Sequence, residues 1–171
     1  SYSDSTVDGT GNNSVITRVW TATDPAGNST TYTQTITVVD TTAPTFTTSP
    51  ASVTVECNTS TSVSRLGTAA ASDNCDSDVT IAYADTTVTG IGNNSVITRV
   101  WTATDDNSNA STYTQTITIE DTTAPTFTTS PADVTVQCNA STAPAGTNGP
   151  AVASDNCDSN VAITYSDTTI S

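Results

Sequence analysis

Apolar and polar residues alternate with a period of two through much of this chain, and the alternation predicts β-strands rather than helices. In residues 95–104 (Ser-Val-Ile-Thr-Arg-Val-Trp-Thr-Ala-Thr) one parity carries Ile97, Trp101 and Ala103. Similar patterns predict strands near 52–56, 79–85, 95–104 and 111–120, with weaker ones between. Gly-Asn-Asn at 92–94 and Asp-Asp-Asn-Ser-Asn at 105–109 supply turn chemistry between them. Helix formers are scarce, and the chain has no Met. Short strands with regular turns predict an antiparallel β-sandwich. Trp101 and Trp20 head the expected core, with Ile97, Ala103, Tyr113, Ile117 and Tyr83. Arg99 shares the parity of Trp101, so a structural arginine is expected that either pairs with an acid or snorkels at an edge.

The pattern is also written twice. Residues 11–24 recur letter for letter at 92–105, and residues 40–51 recur at 121–132. Cys57 and Cys138 lie 81 residues apart, and one inserted residue separates Cys75 from Cys157 by 82. Self-similarity of this kind marks a folded unit used in series. The expected organisation is the C-terminal half of a module at 1–43, a complete module at 44–124, and the N-terminal half of another at 125–171. A half-sandwich cannot bury its inner face alone, so further residues or neighbouring chains should complete both ends. Tyr165 begins a second copy of the segment opened by Tyr2, and this duplication favours a window on a longer chain over complementary subunits. The connector 39–46, repeated at 119–127, has no Gly and fixes φ at Pro44 and Pro125. Such a joint should bend little.

Composition narrows the chemistry. Seventeen acids against three Arg and no His give a net charge of −14, which repels nucleic acid and anionic lipid. Only 12% of residues are charged, so the surface is a Ser/Thr/Asn surface carrying aspartates. Without His or Lys, neither a His-based triad nor a Ser–Lys dyad can be assembled, and the chain is not expected to be an enzyme. No apolar run reaches the roughly 20 residues of a membrane helix, and no signal peptide is visible. The four Cys fall as one pair per period. An even, periodic count suggests one disulfide per module, Cys57–Cys75 and Cys138–Cys157, in an oxidising compartment, with reduced buried thiols as the alternative. Closing a loop of that size stabilises by roughly 3 kcal/mol in the chain-entropy treatment.

Four segments then carry a resemblance. Pro-Ala-Asp-Val-Thr-Val-Gln-Cys (131–138), Ala-Ser-Asp-Asn-Cys (153–157), Trp-Thr-Ala-Thr-Asp-Pro-Ala-Gly-Asn (20–28) and Val-Val-Asp-Thr-Thr-Ala-Pro (38–44) resemble hyalin-repeat (HYR-like) modules. These immunoglobulin-like units recur in very large bacterial surface and secreted proteins. The chain departs from the pattern where 105–109 lacks the Gly of 24–28, and where members often carry further cysteines. The resemblance implies tandem immunoglobulin-like sandwiches and a stalk, adhesin or fibre role. It names no ligand.

Two kinds of site are expected on the loops. Asp, Asn and backbone carbonyls are the hard oxygen ligands that Ca²⁺ prefers. If a module is entered at one end and left at the other, the turn 105–109 lies at the incoming end, which sets Asp105 near Asp40. By the same logic Asp121 is expected to face the last turn of the third module and Asp24 a linker preceding residue 1, and the four aspartates are candidate junction ligands beside the plainer reading of turn-forming residues. Asp73 and Asp76 are weaker candidates. A Cys57–Cys75 bond conflicts with a simple hairpin, so 67–72 is expected as an extended return rather than a ladder strand. Asn-x-Ser/Thr triplets occur at Asn12, Asn28, Asn58, Asn93, Asn109 and Asn139. Asp-Ser/Thr-Thr recurs five times and resembles a bacterial O-glycosylation signal, which implies glycans on Ser5, Thr41, Thr86, Thr122 and Thr168. The expected function is a rigid structural segment of an extracellular stalk or filament at a cell surface, whose partners are copies of the same module. No cofactor is required, and Ca²⁺ is the ion the loops would take. The alternatives are a ligand- or carbohydrate-binding adhesin module, or an accessory domain of a secreted enzyme.

Overall fold

The computed structural model describes residues 1–144 and 149–170; residues 145–148 and Ser171, inside the expected 125–171 half-module, lie outside it. Eleven strands occur among the described residues: β1 (Tyr2–Asp8), β2 (Ser14–Thr23), β3 (Ser29–Val38), β4 (Thr45–Thr48), β5 (Val53–Glu56), β6 (Ala70–Ser72), β7 (Thr80–Thr89), β8 (Ser95–Thr104), β9 (Ala110–Glu120), β10 (Thr126–Thr129) and β11 (Val152–Ser154). The one α-helix among them is α1, a single turn at Val63–Leu66 ended by Gly67 at φ +97°. The chain is all-β, as the period-two pattern requires. The four predicted strands correspond to β5, β7, β8 and β9, with β8 matching at both ends.

The strands form a three-stranded sheet β1-β2-β3, a four-stranded sheet β5-β9-β8-β7, and two small pairs, β4-β6 and β10-β11. The ladders β1-β2, β2-β3, β4-β6 and β10-β11 are antiparallel, whereas β5 runs parallel to β9, with Val53 opposite Ile117 and Glu56 opposite Glu120. The stretch 67–72 corrects the expectation: 70–72 is a ladder strand against β4, with Phe46 opposite Ala71.

The chain forms two compact units. The first comprises Ser1–Ala51, Ser62–Thr86 and Thr98–Thr116. Its interior is built around Trp101, Ala103, Arg99 and Gln115, all buried, with Pro44 and Pro50 buried beside them. Tyr113 donates its hydroxyl to Pro50 O at 2.8 Å and packs its ring 6.0 Å from Phe46. Arg99 tolerates its apolar parity because Asp85 takes it from two sides: Nε to Oδ1 and Nη2 to Oδ2, both 2.8 Å. Its guanidinium also lies 4.9 Å from the centre of the Tyr83 ring. The expected core is corrected at Trp20 and Tyr83, which are 42% and 49% exposed.

The second unit comprises Ser52–Thr61, Thr87–Ile97 and Ile117–Ser171. Ile97, Ile117 and Cys57 are its buried apolar residues. Its regular structure includes the parallel β5–β9 ladder, the end of β7, the start of β8 and the β10–β11 pair, and the bond from Cys57 N to Glu120 O at 3.1 Å extends the first of these.

Candidate functional site

Each unit contains a cluster of loop side chains around a connector aspartate, and the two clusters are built alike. In the first, the Gly-Asn-Asn turn takes Gly11 and Asn12 into the left-handed region, at φ 58° and 59°. That conformation frees the Asn13 side chain to accept the Asp40 amide at 2.7 Å. Asp40 in turn accepts Thr42 N at 2.9 Å, which fixes the start of the connector. Asn12 donates its side-chain amide to Cys75 O. Asp73 holds the cysteine loop by accepting Cys75 N at 2.8 Å and Asp76 N at 3.1 Å. The turn 105–109 closes over the cluster: Asn107 donates to Gly11 O at 3.0 Å and accepts from Asn13, and Asn109 donates to Asp40 O at 3.3 Å. A Cβ at Gly11 would collide with the Asn107 side chain, so this turn requires glycine on both conformational and steric grounds.

The second cluster repeats these contacts one period later. Asn94 accepts Asp121 N at 2.8 Å, Asp121 accepts Thr123 N at 3.1 Å, and Asn93 donates to Cys157 O. Asp155 accepts Cys157 N at 2.7 Å and Asp158 N at 3.0 Å. Glu56, at the end of β5, reaches the connector from below. It accepts the Thr122 hydroxyl at 2.6 Å, the Thr123 hydroxyl at 3.2 Å and the Asn156 amide at 3.2 Å. The Thr122 bond foremost, then that of Asn156, holds the Glu56 carboxyl below the usual glutamate range.

The disulfide differs from expectation. Cys57 is bonded to Cys157, 100 residues away, with Cα atoms 5.9 Å apart. The expected pairs Cys57–Cys75 and Cys138–Cys157 are not formed; Cys75 and Cys138 are free. The physical reason is placement. Cys57 follows β5 directly and sits in the same cluster as Glu56, where the loop 155–158 presents Cys157. Cys75 sits on the loop of the first cluster, in the other unit. Burial foremost, then the charges of Asp40, Asp73 and Asp105, pushes the Cys75 thiol up.

Among the candidate ligands, Asp40 and Asp105 are brought together through Asn109, which donates to Asp40 O and, at 2.8 Å, to Asp105 Oδ2. Asp40 is 7% exposed, and its Oδ2 has no hydrogen-bond partner among the described residues. Ligand atoms of Asp40, Asp73 and Cys75 lie within 4.8 Å of one another, as do those of Asp121, Asp155 and Cys157. Asp24 stands apart from both groups. It accepts Asn28 N and the Asn28 side-chain amide at 2.8 Å each, which holds its carboxyl below the usual range. Asp76 accepts Asp78 N and Asp106 N, at 2.9 and 2.7 Å, and braces one loop against the next.

Ser5, Thr41, Thr86, Thr122 and Thr168 are all exposed, although the Thr122 hydroxyl is engaged by Glu56. The aspartates of the same motif have structural work: Asp4 and Asp85 pair with Arg18 and Arg99, while Asp40 and Asp121 accept from their connectors. Of the Asn-x-Ser/Thr asparagines, Asn12, Asn28, Asn58, Asn93 and Asn109 all donate side-chain hydrogen bonds. Sequence reasoning missed Asn12, Asn13, Asn93, Asn94 and Glu56 as builders of the clusters. The signal for the four asparagines was the letter-for-letter repetition of Gly-Asn-Asn; Glu56, whose counterpart is Gln137, carried no such signal.

With this geometry, residues 45–119 match the family described as HYR-like domain with 4 cysteines. HYR-like domains are extracellular repeat modules of cell-surface proteins. The matched segment carries two cysteines, Cys57 and Cys75. No curated protein matches the chain. Among the described residues, no helix is long and apolar enough to cross a membrane.

Proposed function

We propose that this chain is a stretch of tandem immunoglobulin-like modules forming a stiff segment of an extracellular stalk or filament, with no catalytic role. The observation that carries the reading is the duplicated cluster. Asn13 and Asn94 grip the two connectors by the same backbone amide, at 2.7 and 2.8 Å. Asp40 and Asp121 then fold each connector onto its own side chain. A glycine-free, proline-bearing joint held at both ends has few torsions left to vary. The test is small-angle scattering on the whole chain beside an N13A/N94A variant. A rod-like profile in the parent that loosens in the variant supports the reading. A parent profile that already spans a continuum of sizes overturns it.

A cation at the connector is a second reading, favoured by the buried and unpartnered Asp40 Oδ2 beside Asp73. Ca²⁺ would be held by the Asp40 and Asp73 carboxylates and would neutralise a cluster in which Asp105 adds further negative charge. Calorimetric titration with CaCl₂ alone should give a binding isotherm that D40N abolishes. An isotherm unchanged in D40N removes this reading.

A further inference from the structure

In the first unit a cysteine sulfur stands beside two carboxylates. Ligand atoms of Asp40, Asp73 and Cys75 lie within 4.8 Å of one another, and all three residues belong to that unit. We propose that they form a site for a thiophilic divalent metal ion of the Zn²⁺ class, held by one thiolate and two carboxylates. The inference rests on reading the connector cluster as a cation site, and it narrows the ion taken there.

Asp40 supplies the first argument. It is 7% exposed, and its Oδ2 has no hydrogen-bond partner among the described residues. Its Oδ1 is already used by Thr42 N at 2.9 Å. A buried carboxylate oxygen without a donor destabilises the fold, as any unsatisfied buried polar atom does. A cation bound there removes that penalty. The other electron-pair donors within reach are the Asp73 carboxylate and the Cys75 sulfur.

The second argument is that these two donors are held in place. Asp73 Oδ1 accepts Cys75 N at 2.8 Å and Asp76 N at 3.1 Å, so carboxylate and thiol share one turn. Asn74 donates to Cys75 Sγ at 2.9 Å, and Asn12 donates to Cys75 O. An amide directed at a coordinating sulfur is the kind of outer support that orients a metal ligand. Tetrahedral zinc sets oxygen and sulfur ligands roughly 3.3–3.5 Å apart, so side-chain rotations of about 1 Å complete the geometry.

The thiol decides which ion. Ca²⁺ is a hard cation that takes about six to eight oxygens. A thiolate selects softer ions, and Zn²⁺ accepts sulfur and carboxylate oxygen together. Three protein ligands leave one tetrahedral position for water. On binding, the Cys75 thiol releases its proton to solvent and its sulfur donates a lone pair to the metal, with no electron transferred.

The second unit shows why one ion per chain is expected. Asp121, Asp155 and Cys157 also offer ligand atoms within 4.8 Å of one another, and Asp155 Oδ2 is likewise buried without a partner among the described residues. There the sulfur is committed to the bond with Cys57. The same loop closes on a disulfide in one copy and keeps a thiol for a metal in the other.

The test is titration of the whole chain with CoCl₂, a spectroscopic substitute for Zn²⁺, without reductant so that Cys57–Cys157 stays closed. The parent and C138S should each develop a thiolate-to-Co²⁺ charge-transfer band that saturates at one ion per chain and that ZnCl₂ abolishes. C75S should lack the band and D40N should weaken it. N74A should weaken Co²⁺ binding by about 10–100-fold, the range for an outer partner of a metal ligand. As a second measurement, which needs no variant, maleimide labelling with peptide mass mapping should show Cys75 protected by ZnCl₂ while the exposed Cys138 reacts as before. No band in the parent, a band retained in C75S, Co²⁺ binding unchanged in D40N, or Cys75 labelling unchanged by ZnCl₂ would each overturn the proposal. A CaCl₂ isotherm that D40N abolishes, with no Co²⁺ band, retains the calcium reading and removes this one; a Co²⁺ band with no CaCl₂ isotherm does the reverse.

Discussion

Strands β2 and β8 have the same ten residues, and they live in different surroundings. Both make the same local contacts. Arg18 meets Asp4 at 2.9 Å and Arg99 meets Asp85 at 2.8 Å, each bidentate, and each arginine lies about 5 Å over the tyrosine beside it. Tyr2 packs on Trp20 as Tyr83 packs on Trp101, with ring centres 5.3 and 5.2 Å apart. Burial separates them. Trp20 is 42% exposed and Trp101 only 3%; the Arg18 side chain is 27% exposed and that of Arg99 3%. Gln34 accepts the Trp20 indole N–H at 3.1 Å, whereas Gln115 turns to donate to Ala51 O at 2.9 Å. A sheet's own sequence therefore fixes its pairing and its ion pair. The interior exists only where a Phe46-to-Ala51 segment lies across it.

The widest split between the copies should come from the indoles. W101A should cost about 3–5 kcal/mol, the range for a buried aromatic, and W20A far less, read as paired denaturant midpoints. Equal losses would mean that the first sheet is covered in solution.

Next comes the ion pair. D85N leaves Arg99 buried without its carboxylate and should cost about 1–3 kcal/mol, below the figure for a fully buried pair because Asp85 is one-third exposed. D4N should cost less. The guanidinium hydrogen bond from Arg99 holds the Asp85 carboxyl below the ordinary aspartate value. A depressed folded value means the contribution is complete above the unfolded value and is lost as pH falls through the folded one. Thermal melts should therefore steepen in their acid loss below about pH 4, and D85N should flatten that limb.

Gln115 offers a smaller contrast. Q115L orphans the Ala51 carbonyl and should cost about 1 kcal/mol, while Q34L should stay within about 0.5 kcal/mol. Smallest is the turn. Ser108 holds φ +68° where the first copy has Gly27 at +91°. S108G should stabilise by about 0.5 kcal/mol and G27S should destabilise, since only glycine enters that region without a Cβ penalty. Chemical melts of the pair check the signs.

The strands were legible because alternation is a local property, and β8 could be bounded from its ten residues alone. The nearness of Asp40 and Asp105 was legible too, because direction of travel through a unit is a topological constraint. The cysteine pairing was not. Two cysteines per period satisfy a bond within one copy and a bond between successive copies equally well, and only three-dimensional placement chooses. Trp20 and Tyr83 show the same limit. Identical letters in β2 and β8 carry no mark of which copy will be covered.

β5 runs alongside β9 in the same direction, and Cys57 follows β5 at once. A pull applied before β5 and after β9 slides one strand along the other, so the ladder's hydrogen bonds are strained together rather than opened one after another. Mechanical load applied there meets resistance in concert at Val53–Glu56.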